Sequence, residues 1–113
     1  MGYTFRCADG SGGNLSIPGG AMVDLREVLR LAVTFAGDES VVQMSKFESN
    51  GGRIVTPEEC REIARLLGGR EGEYILAEYR NYVDGIPDGL TGDVRELAEL
   101  CARAADHGGM RVG

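Results

Sequence analysis

Three cysteines, Cys7, Cys60 and Cys101, and the single histidine, His107, are the residues of this chain best suited to metal or nucleophile chemistry. Three thiolates and an imidazole would make a tetrahedral Cys3His zinc site. The spacing argues against it, because structural zinc sites usually build on a tight Cys-x-x-Cys knuckle and these cysteines lie far apart in the chain. Each cysteine also falls on an apolar face of its own segment, so the expectation is three buried free thiols, with no metal and no cofactor. An odd number of distant cysteines leaves no complete disulfide framework, which fits a reducing compartment. With one histidine, Ser/His/Asp and Cys/His catalysis would each have to be built around His107. Its position in the last turn of a helix simply complements the negative end of the dipole. Glu58, Glu59 and Glu62 follow one helix start and Glu71 and Glu73 precede another, as solvated charges do. No convergent acid and base emerge, and no catalytic residue is expected.

A second candidate is the glycine-rich stretch from Gly10 to Gly20, which follows a strand and precedes a helix, the setting in which backbone N–H groups cradle phosphate. Gly10, Ser11, Gly12, Gly13 and Asn14 are its candidate ligand contacts. The motif fails in detail: Leu15 stands where a dinucleotide fingerprint needs its third glycine, and a P-loop would need Lys followed by Ser or Thr. A flexible hairpin turn is the preferred reading. Asp84, Asp88, Asp93 and Glu96 invite a calcium-loop reading, but in that register the third position is Ile86 and the bidentate twelfth is Arg95. A polar turn and a helix cap account for all four.

The elements that position these residues follow from periodicity. Tyr3, Phe5 and Cys7 alternate with Thr4, Arg6 and Ala8, a half-buried strand, with Leu15-Ser16-Ile17 as the returning arm of a hairpin. Asp24 with Glu27 forms a capping box and Val23 with Val28 a hydrophobic staple for a helix ending at Gly37, with a turn of helix before Asp24 left open. Its stripe of Met22, Leu25, Leu29, Ala32, Val33 and Ala36 is widened by Val28, Leu31 and Phe35, which implies cover from more than one side, by neighbours or by a second subunit. Val41 to Phe47 reads as a strand, Asn50-Gly51 as a hairpin turn and Arg53-Ile54-Val55 as the return. Thr56, Pro57 and Glu59 open a helix whose core face holds Cys60, Ile63, Ala64 and Leu67 before Gly68-Gly69. Residues 71–83 have helical spacing, although their tyrosines, Ile75 and Val83 would also suit a strand. Tyr79 and Tyr82 share the apolar stripe and are expected in the core, whereas Tyr74 faces away and, with Phe35, is the interface candidate. Asp93 caps a last helix with Glu96 at its third position, His107-Gly108-Gly109 ends it, and Met110-Arg111-Val112 makes one short edge strand.

The 113 residues and 42% hydrophobic content fit a single domain over 1–113. A formal net charge of −6 and the lack of a basic patch disfavour nucleic acid as a partner. The basic residues are nearly all arginine beside the lone Lys46, a composition read here as GC-rich coding. The longest apolar stretch, Leu31 to Ala36, is far too short for a membrane span. No secretory signal is expected, since no basic segment leads into an apolar one, and a cytoplasmic protein follows.

The segment from Phe47 through Asn50-Gly51-Gly52-Arg53-Ile54-Val55-Thr56-Pro57-Glu58-Glu59-Cys60, running into Ala64-Arg65-Leu66-Leu67, resembles a family of small uncharacterised actinobacterial and phage proteins. In that family an Asn-Asp-Gly-like turn and Val-Thr-Ala-Glu-like residues open an Ala/Leu-rich helix. Leu97-Ala98-Glu99-Leu100-Cys101 through Gly108-Gly109-Met110-Arg111-Val112 resembles its close. The resemblance implies an α+β fold and a bacterial or phage origin, and it carries no activity. The patterning predicts the same class: a mostly antiparallel sheet with three to four helices on one face. The expected function is a non-enzymatic binding or regulatory protein acting through a protein interface, with a homodimer as the expected assembly. A small-ligand binder or sequestering oligomer for a phosphate- or nucleotide-like molecule, using the Gly10–Asn14 turn, is the alternative.

Overall fold

Alternation does set the first two strands. β1 (Gly2–Cys7) and β2 (Asn14–Pro18) pair antiparallel, with Phe5 opposite Leu15 and Tyr3 opposite Ile17. These belong to a computed structural model in which residues 2–11, 14–37, 40–48, 51–83, 85 and 89–113 are described. Gly12 and Gly13 of the turn, Asn50 of the hairpin signal, and Asp84, Ile86 and Asp88 of the acidic cluster lie outside the described residues.

The chain continues through α1 (Gly19–Ala36), a 3₁₀ turn at Met44–Phe47, β3 (Arg53–Val55), α2 (Pro57–Leu67), α3 (Arg70–Tyr82), α4 (Leu90–Ala104) and β4 (Met110–Val112). The fold is α+β: among the described residues, four helices with a four-stranded antiparallel sheet in the order β2-β1-β4-β3. Phe5, Cys7, Leu15, Ile17, Val55, Met110 and Val112 are buried beneath the helices, while Arg6, Ser16 and Arg111 on the alternate positions stay exposed. α1 and α4 pack on β1 and β2, α2 packs on α4, and α3 closes the layer against α1 and α2. No helix among the described residues is long and apolar enough to cross a membrane.

The C-terminal strand lies inside the sheet, between β1 and β3, and not at its edge. Reaching that slot requires a sharp reversal after α4, made at Gly108 and Gly109 with φ of 80° and 97°. A Cβ on Gly109 would stand 2.3 Å from the Val55 carbonyl oxygen, so the reversal needs glycine on both steric and conformational grounds. The N–H of Ala8 then donates to the Gly109 carbonyl at 2.8 Å, and Thr4 and Gly113 exchange backbone bonds at 2.8 and 2.9 Å.

The strand expected over Val41 to Phe47 does not form; its end is the 3₁₀ turn. Lys46 and Phe47 are consecutive and both buried, which a strand with alternating faces cannot arrange. The cause lies on α2. Thr56 and Glu59 make the expected capping box, with Thr56 Oγ1 accepting from the Glu59 N–H at 3.2 Å and Glu59 Oε1 accepting from the Thr56 N–H at 3.0 Å. The same carboxylate also accepts the Lys46 ammonium on Oε1 and the Gln43 N–H on Oε2, the latter at 2.9 Å. Gathering residues 43 and 46 onto one carboxylate coils the segment. Burial would push the Glu59 carboxyl up, but the Lys46 ammonium and the Gln43 and Thr56 N–H groups outweigh it and hold it below the ordinary value. The lone lysine is therefore the buried cation of the fold.

The other helix starts also moved. α1 begins at Gly19 and α4 at Leu90, so Asp24 and Asp93 lie inside their helices and do not cap them. Pro18 and Gly20 give α1 an earlier start than the Asp24 capping pattern implied, consistent with proline at a helix N-terminus.

Glu59→Gln keeps an acceptor for the Thr56 N–H but leaves the Lys46 ammonium buried without a counter-charge. Urea unfolding should show a loss of about 3 kcal/mol, in the range for breaking a buried ion pair. Combining it with Lys46→Met should recover part of that loss, and a single variant as stable as the parent would contradict the central role given to this pair.

Candidate functional site

α1 ends in Leu31-Ala32-Val33-Thr34-Phe35-Ala36, six residues without a charge. Close by, α2 ends and α3 begins across Gly68-Gly69. A Cβ on Gly72 would stand 2.2 Å from the Leu67 carbonyl oxygen, so glycine there lets α3 start tight against the end of α2. This corner and the end of α1 enclose a cleft of about 480 Å³, with Phe35, Leu66, Tyr74 and Ile75 supplying apolar lining and Arg65, Arg70 and Glu71 the charged part. Arg65 bonds Glu62 through Nε at 2.8 Å and lies 3.8 Å from Glu71, linking α2 to α3.

The two interface candidates, Phe35 and Tyr74, meet at this cleft. Their rings contact edge-on, with centroids 5.7 Å apart and planes at 85°, the favoured aromatic geometry. Both remain open to solvent, at 60% and 55% exposure, whereas Leu66 and Ile75 beneath them are buried. At the opposite end of the same helix pair, the Tyr79 hydroxyl donates to Asp24 Oδ1 at 2.7 Å. Burial and that bond push the Tyr79 phenol up to about 12, so it stays a donor across the neutral range. With Asp24 near the start of α1 touching the end of α3, and Phe35 near the end of α1 touching the start of α3, the two helices run antiparallel. Tyr82 does not join Tyr79 in the core; it is 81% exposed on the outer edge of α3, two turns from Tyr74. Val23, expected as a staple, is also exposed.

Sequence patterning singled out Phe35 and Tyr74 separately but missed Leu66, Arg65 and Arg70. The usable signal was Gly68-Gly69, since two glycines between two helices allow the end of the first to lie beside the start of the second. Tyr82 was misplaced because helical spacing alone cannot show that α3 lies at the margin of the layer and is covered on one side only.

The glycine-rich turn is organised differently. Gly10, at φ 81°, and Ser11 follow β1, and Asn14 begins β2, so a whole strand separates this turn from the start of α1. The Ser11 N–H, a potential phosphate donor, already bonds Asp9 Oδ1 at 2.8 Å, and Asp9 Oδ2 accepts from His107 Nδ1 at 2.9 Å. The adjacent Ser11 side chain and the Ser11 N–H, aided by His107, hold the Asp9 carboxyl down at about 2. His107 thus ties the β1–β2 turn to the chain beyond α4, and an anionic carboxylate occupies the place a phosphate would need. Cys7, Cys60 and Cys101 are all buried and unlinked. No protein-family model, curated protein or solved structure matches the chain.

Because the Asp9 carboxyl titrates lower when folded than the ~3.9 of an unfolded aspartate, its contribution to stability is present above about pH 4 and is lost as pH falls toward 2. Thermal unfolding between pH 5 and pH 2 should therefore fall less steeply for Asp9→Asn than for the parent. Parallel curves would show that the Asp9–His107 tie contributes nothing to folding.

Proposed function

We propose that this protein is a non-enzymatic binding or regulatory protein that works through the α1–α3 face, and that its occupant is a second copy of the same chain. The observation that carries the reading is the contact of Phe35 and Tyr74, two large aromatics that meet edge-on yet remain more than half exposed above an apolar cleft. Exposed aromatics grouped over a pocket are the composition of interface anchors. Tyr82 supports a self-complementary arrangement: two α3 helices packed antiparallel across a twofold axis would each bring Tyr82 toward the partner's Phe35–Tyr74 cleft. In this reading the protein acts in a bacterial or phage-infected cytoplasm, a compartment its three unlinked thiols suit.

A small-ligand role has one observation on its side. The cleft, at about 480 Å³, is of ligand-pocket size, and Arg70 on its lining has no ion-pair partner among the described residues. A thermal-shift panel of nucleotides and small organic acids tests it directly, and a flat panel removes those compounds.

Size-exclusion chromatography with light scattering should return about twice the 12.1 kDa chain mass. Replacing Phe35 and Tyr74 by serine should weaken dimerisation at least ~10-fold, as for anchor residues at other interfaces, with the fold retained by circular dichroism. A mass near 12.1 kDa at every concentration tested would remove the self-association reading.

A further inference from the structure

Cys7, Cys60 and Cys101, distant in the chain, come together in the core. The sheet register explains how. Cys7 on β1 lies opposite Met110 on β4, and Met110 lies opposite Val55 on β3, so the three side chains form one row across the covered face. The helices lay two thiols over that row. Cys101 Sγ on α4 is 4.0 Å from Met110 Sδ, and Cys60 Sγ on α2 donates to the Val55 carbonyl oxygen at 3.6 Å. α2 and α4 pack together here, which brings Cys60 and Cys101 over the same stretch of the row. Among the described residues no group of three or more Cys, His, Asp or Glu is placed to hold a metal ion.

We propose that Cys60 and Cys101 form a redox pair, closed by peroxide into a disulfide that ties α2 to α4. Cys60 beside the Val55 carbonyl and Cys101 beside Met110, over two residues paired across the sheet, stand on packed helices close enough for a bridge to be sought between them. Both thiols are fully buried. The oxidant must therefore be small and must reach them through brief opening of the helix layer.

The two sulfurs are unequal. The neighbouring Cys101 thiol draws the Cys60 thiol down against its burial and the Glu59 carboxylate, with the Lys46 and Arg61 cations adding to the lowering. The Cys60 sulfur and burial push the Cys101 thiol well up. Cys60 is therefore the attacking sulfur. Its thiolate displaces hydroxide from peroxide: an S–O bond forms, the O–O bond breaks and Cys60 becomes a sulfenic acid. The Cys101 sulfur then displaces the hydroxyl from Cys60. The S–S bond forms, the S–O bond breaks, and the Cys101 proton leaves with that hydroxyl as water. Two thiols give up two electrons, and one peroxide is reduced to two waters. Cys7 lies beside Met110 within the row, on the sheet, and stays a free thiol.

The test treats the reduced, full chain with hydrogen peroxide, unfolds it in iodoacetamide and maps the peptides by mass spectrometry. The expected result is the loss of two hydrogens, a linked peptide pair containing Cys60 and Cys101, and alkylation of Cys7 alone. Oxidation should also raise the thermal midpoint, reversibly with dithiothreitol. Cys101→Ser should abolish the link and leave a trappable sulfenic acid at Cys60. Should that variant fail to fold, Cys7→Ala carries the same test, because it retains only the proposed pair. Three alkylatable thiols after peroxide, a link through Cys7, or a link only between chains would each overturn the proposal.

Discussion

One carboxylate holds together the part of this fold that the sheet alone cannot. Glu59 is 3% exposed and carries a charge there because Lys46, Gln43 and Thr56 all bring donors to it. Each link fixes a different piece of chain: the Thr56 bonds set the start of α2, the Gln43 bond sets where the segment after α1 approaches, and Lys46 anchors the 3₁₀ turn. Phe47 follows Lys46 into the core and reaches Phe5 of β1, with ring centroids 6.3 Å apart. A buried ion pair of this kind adds little net stability over an apolar replacement, since desolvation offsets its attraction, but it penalises every arrangement that leaves one charge unpaired. The ion pair and the Gln43 bond give the segment from 43 to 47 one position where patterning alone allowed several.

That is also why this segment misleads as sequence. Val41 to Phe47 alternates acceptably, and local propensity favours a strand. The decisive partner is thirteen residues away, on a helix, and its role is disguised because Glu59 already has a local job as the third residue of a capping box. The features that were legible are the ones whose causes are local: the alternation of β1 and β2, the Thr56-Pro57 start of α2, the core stripes that bury Cys60 and Cys101. Asp24 shows the same limit from the other side. Its pattern with Glu27 is that of a cap, yet the helix extends back to Gly19 and the carboxylate serves a tertiary bond to Tyr79. Acidic residues near helix starts are thus doubly employable, and only the three-dimensional arrangement says which use prevails.

The candidate site was half legible for a related reason. Phe35 was marked because it makes the α1 stripe too wide for one packing partner, and Tyr74 because it faces away from the stripe of its own helix. Each was a statement about one helix. Their meeting at a shared cleft depends on the antiparallel seam between α1 and α3, which Asp24 and Tyr79 fix at its far end. A bond at one end and an aromatic contact at the other leave little freedom for the two helices to slide. The exposed aromatics are therefore presented on a pre-set surface, and an interface built on such a surface loses little conformational entropy on binding.

Cys60 and the residues that α2 lends to the aromatic cleft lie on different faces of that helix. Cys60 points to α4 and the sheet, while Arg65 and Leu66 contribute to the cleft beside α1 and α3. Any change in how α2 packs on α4 is consequently felt where α2 meets α3, because Gly68 and Gly69 separate them by so short a connection and Gly72 brings their backbones nearly into contact. Packed helices that share such a corner move as units, not as independent side chains. A covalent tie between α2 and α4 would therefore stiffen the corner that forms one wall of the cleft, which gives an otherwise buried chemistry a physical route to the surface on which the protein is proposed to act.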